Sequence, residues 1–305
     1  MEHRRLSDTG LSLSSLTLGT STWGMDTEVY DCASMLRLFQ DAGGYVLDID
    51  MTGEAAATLE TIRDLFLSDD FSREDFRLII RTGMSRSKIF NDVATVTRAL
   101  ATDYIDVLLV SGPRNHIPFD ETLSALSSLY TSGTARYLGM VNLSWWDGGC
   151  AWTLAHTQGF RFDAWAGELS LLRPALSAAP GQQILESGLG IIAGAPLSLG
   201  ILTGKYRHST PADSRATTPR FGSEIRRRLT SRTPGIVDSL TKAAEGLDHS
   251  PAQIAVAWTL AVPGVATVAI GPRTPAQLTH ILDSADWRLP ATIHNALSEV
   301  ALSKD

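Results

Sequence analysis

Cysteine is scarce: Cys32 and Cys150 are the only two in 305 residues. They show no metal-ligand spacing and form no disulfide framework, which excludes a cysteine-stapled scaffold and suits a reducing compartment. Basic charge is not in surplus either. A net charge of −7 argues against a general nucleic-acid binder, which carries a basic footprint. The densest basic run, Arg226-Arg227-Arg228, reads as a solvated helix face rather than an anion site. No apolar run reaches the length of a membrane span, and the opening MEHRRLSDTGLSL has no apolar leader-like stretch. No GxGxxG follows the first expected strand, which weighs against a doubly wound dinucleotide-binding sheet. These absences lead us to expect a cytoplasmic protein with no metal, no membrane partner and no nucleic-acid partner.

What is present is a repeated unit. With 44% hydrophobic residues, the chain is long enough for one large core. A Gly-terminated turn at Ser7–Gly10 predicts an N-terminal hairpin within residues 3–18. Short apolar runs then alternate with stretches of helical spacing. Strands are expected at 16–19, 45–50, 76–81, 104–110, 136–141, 162–169, 189–193 and 265–270. Helices are expected between them, the first with Thr27 as its cap, others at 54–67, 89–102, 119–132, 145–158 and 177–187. A polar segment over 207–235 precedes helices at 236–246 and 250–261, and two terminal helices follow near 274–284 and 290–302. About eight alternations without a break in composition predict a single α/β domain over residues 1–305, a (β/α)8 TIM barrel.

In such a barrel the chemistry sits on the loops after the strand ends. Those ends carry Trp23, Asp48, Asp50, Arg81, Ser111, Asn142, Trp145 and Glu168. Polar groups around a Trp-lined mouth fit a small-molecule pocket. Arg114, His116, Arg173, His208 and Arg220 are further loop residues with a weaker claim on a substrate. After the seventh strand, GLGIIAGAPLSLGILTGKY at 188–206 places Gly194, Gly200 and Gly204 ahead of Lys205. Glycines let the backbone approach a ligand closely, and an amide-rich loop ending in a lysine suits a phosphate.

Several segments resemble the aldo/keto reductase superfamily, in order and over nearly the whole chain. They are LGTSTWG at 18–24, TSGTARYLGMVNLS at 131–144, APLSLGILTGKY at 195–206, SPAQIAVAW at 250–258 and IGPRTPAQL at 270–278. The resemblance implies a barrel with an N-terminal hairpin and extra C-terminal helices. It implies NADP(H) as cofactor, with Leu197, Gly200, Lys205, Gly271, Arg273 and Gln277 at the positions that hold it.

Family members reduce carbonyls with a tetrad of Asp, Tyr, Lys and His. The Asp position falls on Asp48. No tyrosine stands within Ile49–Gly53, Gly83 stands where the lysine is expected, and Ser111 where the histidine is expected. One positioned proton donor contributes on the order of 10²–10⁴ in rate, or about 3–5 kcal/mol of barrier. Ordinary carbonyl reduction is therefore not expected. On the cofactor side Val141-Asn142 replaces the family's Ser-Asn, Ala166 its Gln, and Gly194 the aromatic that stacks on nicotinamide. His280-Ile281 stands in place of its Glu-Asn pair. Two readings of the cofactor follow: a dinucleotide retained for a weak or structural role, or a vestigial groove.

The leading expectation is an enzyme of specialised metabolism that does acid–base rather than redox chemistry. Dehydration, isomerisation or cyclisation of a small oxygenated metabolite would use Asp48, Asp50 and Glu168 as the catalytic carboxylates, with Trp23, Arg81, Ser111, Asn142 and Trp145 as substrate contacts. Structural ion pairs of Asp48 with Arg81 and of Glu168 with Arg173 are the competing account of those carboxylates. Two other functions stay open. One is an atypical NADPH-dependent oxidoreductase whose proton comes from the substrate, water, Tyr206 or His208. The other is a non-catalytic nucleotide sensor or partner subunit. Oligomeric state is left open.

Overall fold

The chain opens with two short strands, β1 (His3–Arg5) and β2 (Ser12–Ser14), paired antiparallel with His3 opposite Ser14. It continues through β3 (Leu16–Gly19), α1 (Val29–Asp41), β4 (Val46–Asp50), α2 (Ala56–Leu67), β5 (Arg77–Thr82), α3 (Arg86–Ala99), β6 (Ile105–Ser111) and α4 (Phe119–Thr131). Then come β7 (Ala135–Val141), α5 (Trp145–Thr157), β8 (Ala164–Glu168), α6 (Ala179–Glu186) and β9 (Gly190–Gly194). The last part holds α7 (Gly222–Arg228), α8 (Thr233–Gly246), α9 (Pro251–Leu260), β10 (Val265–Ile270), α10 (Pro275–Leu282) and α11 (Ala291–Leu302). This computed structural model describes residues 1–112, 117–174, 179–207, 215–218 and 221–303.

Strands β3 to β10 form a closed parallel barrel, completed where Ile270 of β10 pairs with Leu18 of β3. The helices lie outside it, so the fold is the (β/α)8 barrel that the alternation implies. The β1–β2 hairpin plugs the end of the barrel where the strands begin. Leu6, Leu11 and Leu13 pack there with Val46, Ile79 and Val107, which point into the barrel.

Residues two apart along a strand share a face. Inward-facing Val46 therefore fixes Asp48 as inward, Ile79 fixes Arg81, and Ala166 fixes Glu168. The inner face thus changes from apolar at one end of the barrel to charged at the other.

Some element limits differ from the expectation. Helix α3 starts at Arg86 rather than 89, because the Ser85 side chain accepts from Lys88 N and caps it. Thr27 is not a cap: Glu28 takes that position, and the buried Thr27 hydroxyl bonds Thr22 instead. The polar segment over 207–235 contains a helix, α7, which its many Ser, Thr and Pro residues conceal.

Candidate active site at the barrel mouth

A cavity of about 330 Å³ opens at the carboxyl ends of the strands, walled by Asp48, Arg81, Asn142 and Glu168 with Leu109, Val141, Ile192, Leu199, Phe221 and Arg228. Asp48 is 5% exposed and is gripped by Arg81 through two parallel contacts, Nε to Oδ1 at 2.9 Å and Nη2 to Oδ2 at 2.5 Å. A bidentate guanidinium–carboxylate pair of this kind fixes both groups. Burial pushes the Asp48 carboxyl above its ordinary value, while the Arg81 charge pulls the other way. The Arg81 pKa is raised, so its guanidinium stays charged; burial opposes the charge, but Asp48 and Asp50 outweigh it.

Across the cavity Glu168 forms an ion pair with Arg228. Its Oε1 also accepts from the Ser198 hydroxyl at 3.2 Å, and Arg228 Nη1 donates to the same hydroxyl at 2.9 Å. Glu224, one helical turn earlier on α7, holds Arg228 Nε at 3.0 Å. Arg173 approaches Glu168 only to 3.8 Å, so Arg228 is the main partner.

Backbone strain collects at the same rim. Asn142, Ala195, Ser198 and Leu199 all take positive φ values, between 46° and 59°. Each non-glycine residue held there costs roughly 1–2 kcal/mol. Ser198 is fully buried and tied to Glu168 and Arg228, which offsets its strain.

Asp50 does not line the cavity; its Oδ1 accepts from Thr52 N at 2.9 Å, and Oδ2 lies 3.7 Å from Arg81 Nη1. Trp23 is fully buried in the layer between strands and helices, so it is a core residue and not a wall of the mouth. Ser111 is half-buried and donates to Gly112 O at 3.3 Å, outside the cavity lining. Trp145 stacks on Trp165 at 6.0 Å and lines a separate cavity of about 240 Å³ with Trp152. Tyr206 lines another cavity, beside Leu229 and Pro234, and its buried hydroxyl has no hydrogen-bond partner among the described residues. Arg114, His116, His208 and Arg220 lie outside the described residues.

Arg228 corrects the sequence reading. Arg226 and Arg227 do face outward, but Arg228 turns in to the mouth. The signal was Ile225, three residues earlier: it is fully buried, and a residue three positions on shares its helix face. A second cation was also missed. Lys88 lies across Gly83, its Cγ 3.2 Å from where a Cβ would stand. Its ammonium is committed to Asp92, at 2.6 and 2.8 Å, and to Met51 O. It does not line the mouth cavity.

Beside the mouth lies a groove of about 320 Å³, and Leu197, Gly200, Lys205, Gly271, Arg273 and Gln277 all line it. Leu199, Ile270 and Gly271 border both spaces, so the two are neighbours through one wall. Gly200 has a φ of 91°, and a Cβ there would meet Lys205 Cε at 3.0 Å, which explains glycine at this point. Lys205, Arg273 and His280 line the groove, and no carboxylate stands among the described lining residues. That donor set suits the phosphates of a nucleotide. Toward the mouth, Gly194 and Val141 offer neither an aromatic face nor a hydroxyl. Among the described residues no group of His, Cys, Asp and Glu could hold a metal ion, and no helix is long and apolar enough to cross a membrane.

Known proteins resemble this chain along nearly its whole length. A probable voltage-gated potassium channel subunit beta from Oryza sativa subsp. japonica is 27% identical over 94% of this chain and 92% of its own. The Arabidopsis thaliana protein of the same description is 26% identical over the same shares. An uncharacterized oxidoreductase, YrpG of Bacillus subtilis (strain 168), is 25% identical over 98% of this chain and 96% of its own. The model of the aldo/keto reductase family matches residues 15–301, and with the closed barrel and its hairpin this establishes that the chain belongs to that family.

Proposed function

We propose that this chain is an enzyme that has exchanged carbonyl reduction for acid–base chemistry, acting on a small oxygenated metabolite. Its tetrad is degenerate: Asp48 remains, and the Tyr, Lys and His roles are lost at 49–53, Gly83 and Ser111. The observation that carries the reading is the pair of arginine–carboxylate clusters, Arg81–Asp48 and Arg228–Glu168, facing one small cavity.

In this reading the roles divide between the two clusters. Asp48 is sequestered by both edges of its contact, so it positions Arg81 rather than moving a proton. Arg81 then binds the substrate carbonyl oxygen, with Asn142 at the same wall. Glu168 is more exposed, at 19%, and acts as the base. It takes a proton from the carbon next to the carbonyl, and the electron pair moves onto the oxygen held by Arg81. Return of the pair expels a β-hydroxyl, which takes the proton now on Glu168 and leaves as water; alternatively Glu168 delivers that proton to a neighbouring atom to give an isomer. A general base so placed contributes on the order of 10²–10⁴ in rate.

The family binds NADP(H), and the groove with Lys205, Arg273 and Gln277 would hold its phosphates. Bound there, NADP(H) would be the hydride carrier that the family's reductases use. In our reading it serves the shape of the pocket. A second reading, an atypical NADPH-dependent oxidoreductase, is favoured by the contiguity of groove and mouth.

The test is proton NMR in D2O with small oxo and hydroxy acids, without NADPH. Deuterium uptake or loss of water by the wild type, lost in a folded Glu168→Gln variant, supports acid–base chemistry. Turnover that needs NADPH and survives Glu168→Gln overturns it.

A further inference from the structure

We infer that the mouth cavity takes a small molecule with two separated acidic ends, a short dicarboxylate, bridged between Arg81 and Arg228, the carboxylate at Arg81 supplying the carbonyl oxygen of the acid–base reaction; this rests on the mouth being the reacting site. Both guanidiniums line the same cavity. Each is already fixed along one side by protein. Arg81 spends Nε and Nη2 on Asp48, which leaves Nη1 with only the 3.7 Å approach of Asp50. Arg228 spends Nε on Glu224 and Nη1 on Glu168 and Ser198. Among the described residues its Nη2 has no hydrogen-bond partner. Two oriented guanidiniums, each with a nitrogen to spare, are ready carboxylate ligands and lose little entropy on binding.

The wall between them is apolar, made by Leu109, Val141, Ile192, Leu199 and Phe221. Ser21 and Asn142 are the remaining polar side chains on it among the described residues. A ligand with charged ends and a hydrocarbon middle matches this pattern. Charge balance sharpens the choice. Asp48 and Asp50 flank Arg81, and Glu168 and Glu224 flank Arg228, so neither guanidinium brings net positive charge; a carboxylate is held by directed hydrogen bonds, and two simultaneous contacts are needed. At about 330 Å³ the cavity sits at the small end of ligand sites, which run from roughly 300 to 1,000 Å³.

Calorimetric titration of the full chain with succinate, glutarate and 2-oxoglutarate, against butyrate and butane-1,4-diol, tests this. Dicarboxylates should bind at least about tenfold more tightly than butyrate, and Arg228→Gln should reduce them to the butyrate level. Arg228→Lys, which keeps the charge and loses the fork, should fall between the two. Equal binding of butyrate and succinate, unchanged selectivity in Arg228→Gln, or no dicarboxylate binding at millimolar concentration overturns the inference. Binding is read apart from catalysis. Dicarboxylate binding without Glu168-dependent exchange contradicts the acid–base reading and leaves the ligand class standing. Exchange confined to monoacids does the reverse.

Discussion

Arg228, the last residue of α7, forms an ion pair with Glu168, the last residue of β8, sixty positions earlier in the chain. The contact ties the segment between β9 and α8 to the barrel mouth through a carboxylate that also accepts from Ser198. Arg228→Gln should therefore loosen α7 more than the barrel. We expect a loss of about 1.5–3 kcal/mol, typical of a charge-assisted hydrogen bond, and faster chymotryptic cutting at Phe221 or Leu229. Unchanged cutting there would show that α7 is held by its other contacts.

The Asp48–Arg81 pair should behave as a unit. Removing one partner of a buried pair strands the other charge, at a cost of about 3–5 kcal/mol, while replacing both by apolar residues costs far less. Denaturant melts of Asp48→Ala, Arg81→Leu and the double variant should thus be strongly non-additive. Additive losses would mean that solvent already screens the pair.

Burial raises the folded-state pKa of Asp48 above 3.8. Between 3.8 and that raised value the folded chain holds a proton that the unfolded chain has released. Stability contributed by Asp48 is therefore complete below that interval and falls as pH rises through it, by up to about 1.4 kcal/mol per unit. Asp48→Asn should flatten this part of the stability–pH curve relative to wild type. A slope that persists in the variant would assign it to another group.

The two cysteines should differ in reactivity. Cys32 is fully buried, and desolvation pushes its thiol up to about 12, so little thiolate forms at neutral pH. Cys150 is half-buried. Ellman's reagent should titrate no more than one thiol in the native chain and two after unfolding. Two rapid native equivalents would place Cys32 at the surface.

Gly139 on β7 has no room for a side chain. A Cβ there would stand 2.4 Å from Leu109 Cδ2 and 2.8 Å from Ala164 O. Gly139→Ala should lower stability by roughly 1–3 kcal/mol through overpacking, seen as a lower melting temperature. An unchanged melting temperature would show that β7 and β8 can part freely.

The barrel was legible because its signal is local. Apolar runs such as Tyr104–Val110 and Leu189–Ala193 announce strands wherever they stand, and their alternation with helices specifies the topology. Positions at strand ends also pointed to Asp48 and Glu168 as residues of the mouth. What composition could not convey was which side chain meets them. Arg228 is brought to Glu168 by folding of a polar segment, and both bond the hydroxyl of Ser198, which its loop holds at positive φ. Trp23 misled in the other direction. Its place just after β3 suggested a pocket wall, but the turn between Thr20 and Thr27 folds it into the core, where Thr58 donates to its carbonyl at 3.1 Å.

The central claim is that this barrel moves protons and not hydride. The most direct measurement supplies NADPH and candidate oxo and hydroxy acids together. It follows the nicotinamide absorbance alongside the product mass. Our account requires a product isomeric with its substrate, or lighter by one water, with the absorbance unchanged. Loss of absorbance in step with a product that has gained two hydrogens would contradict it.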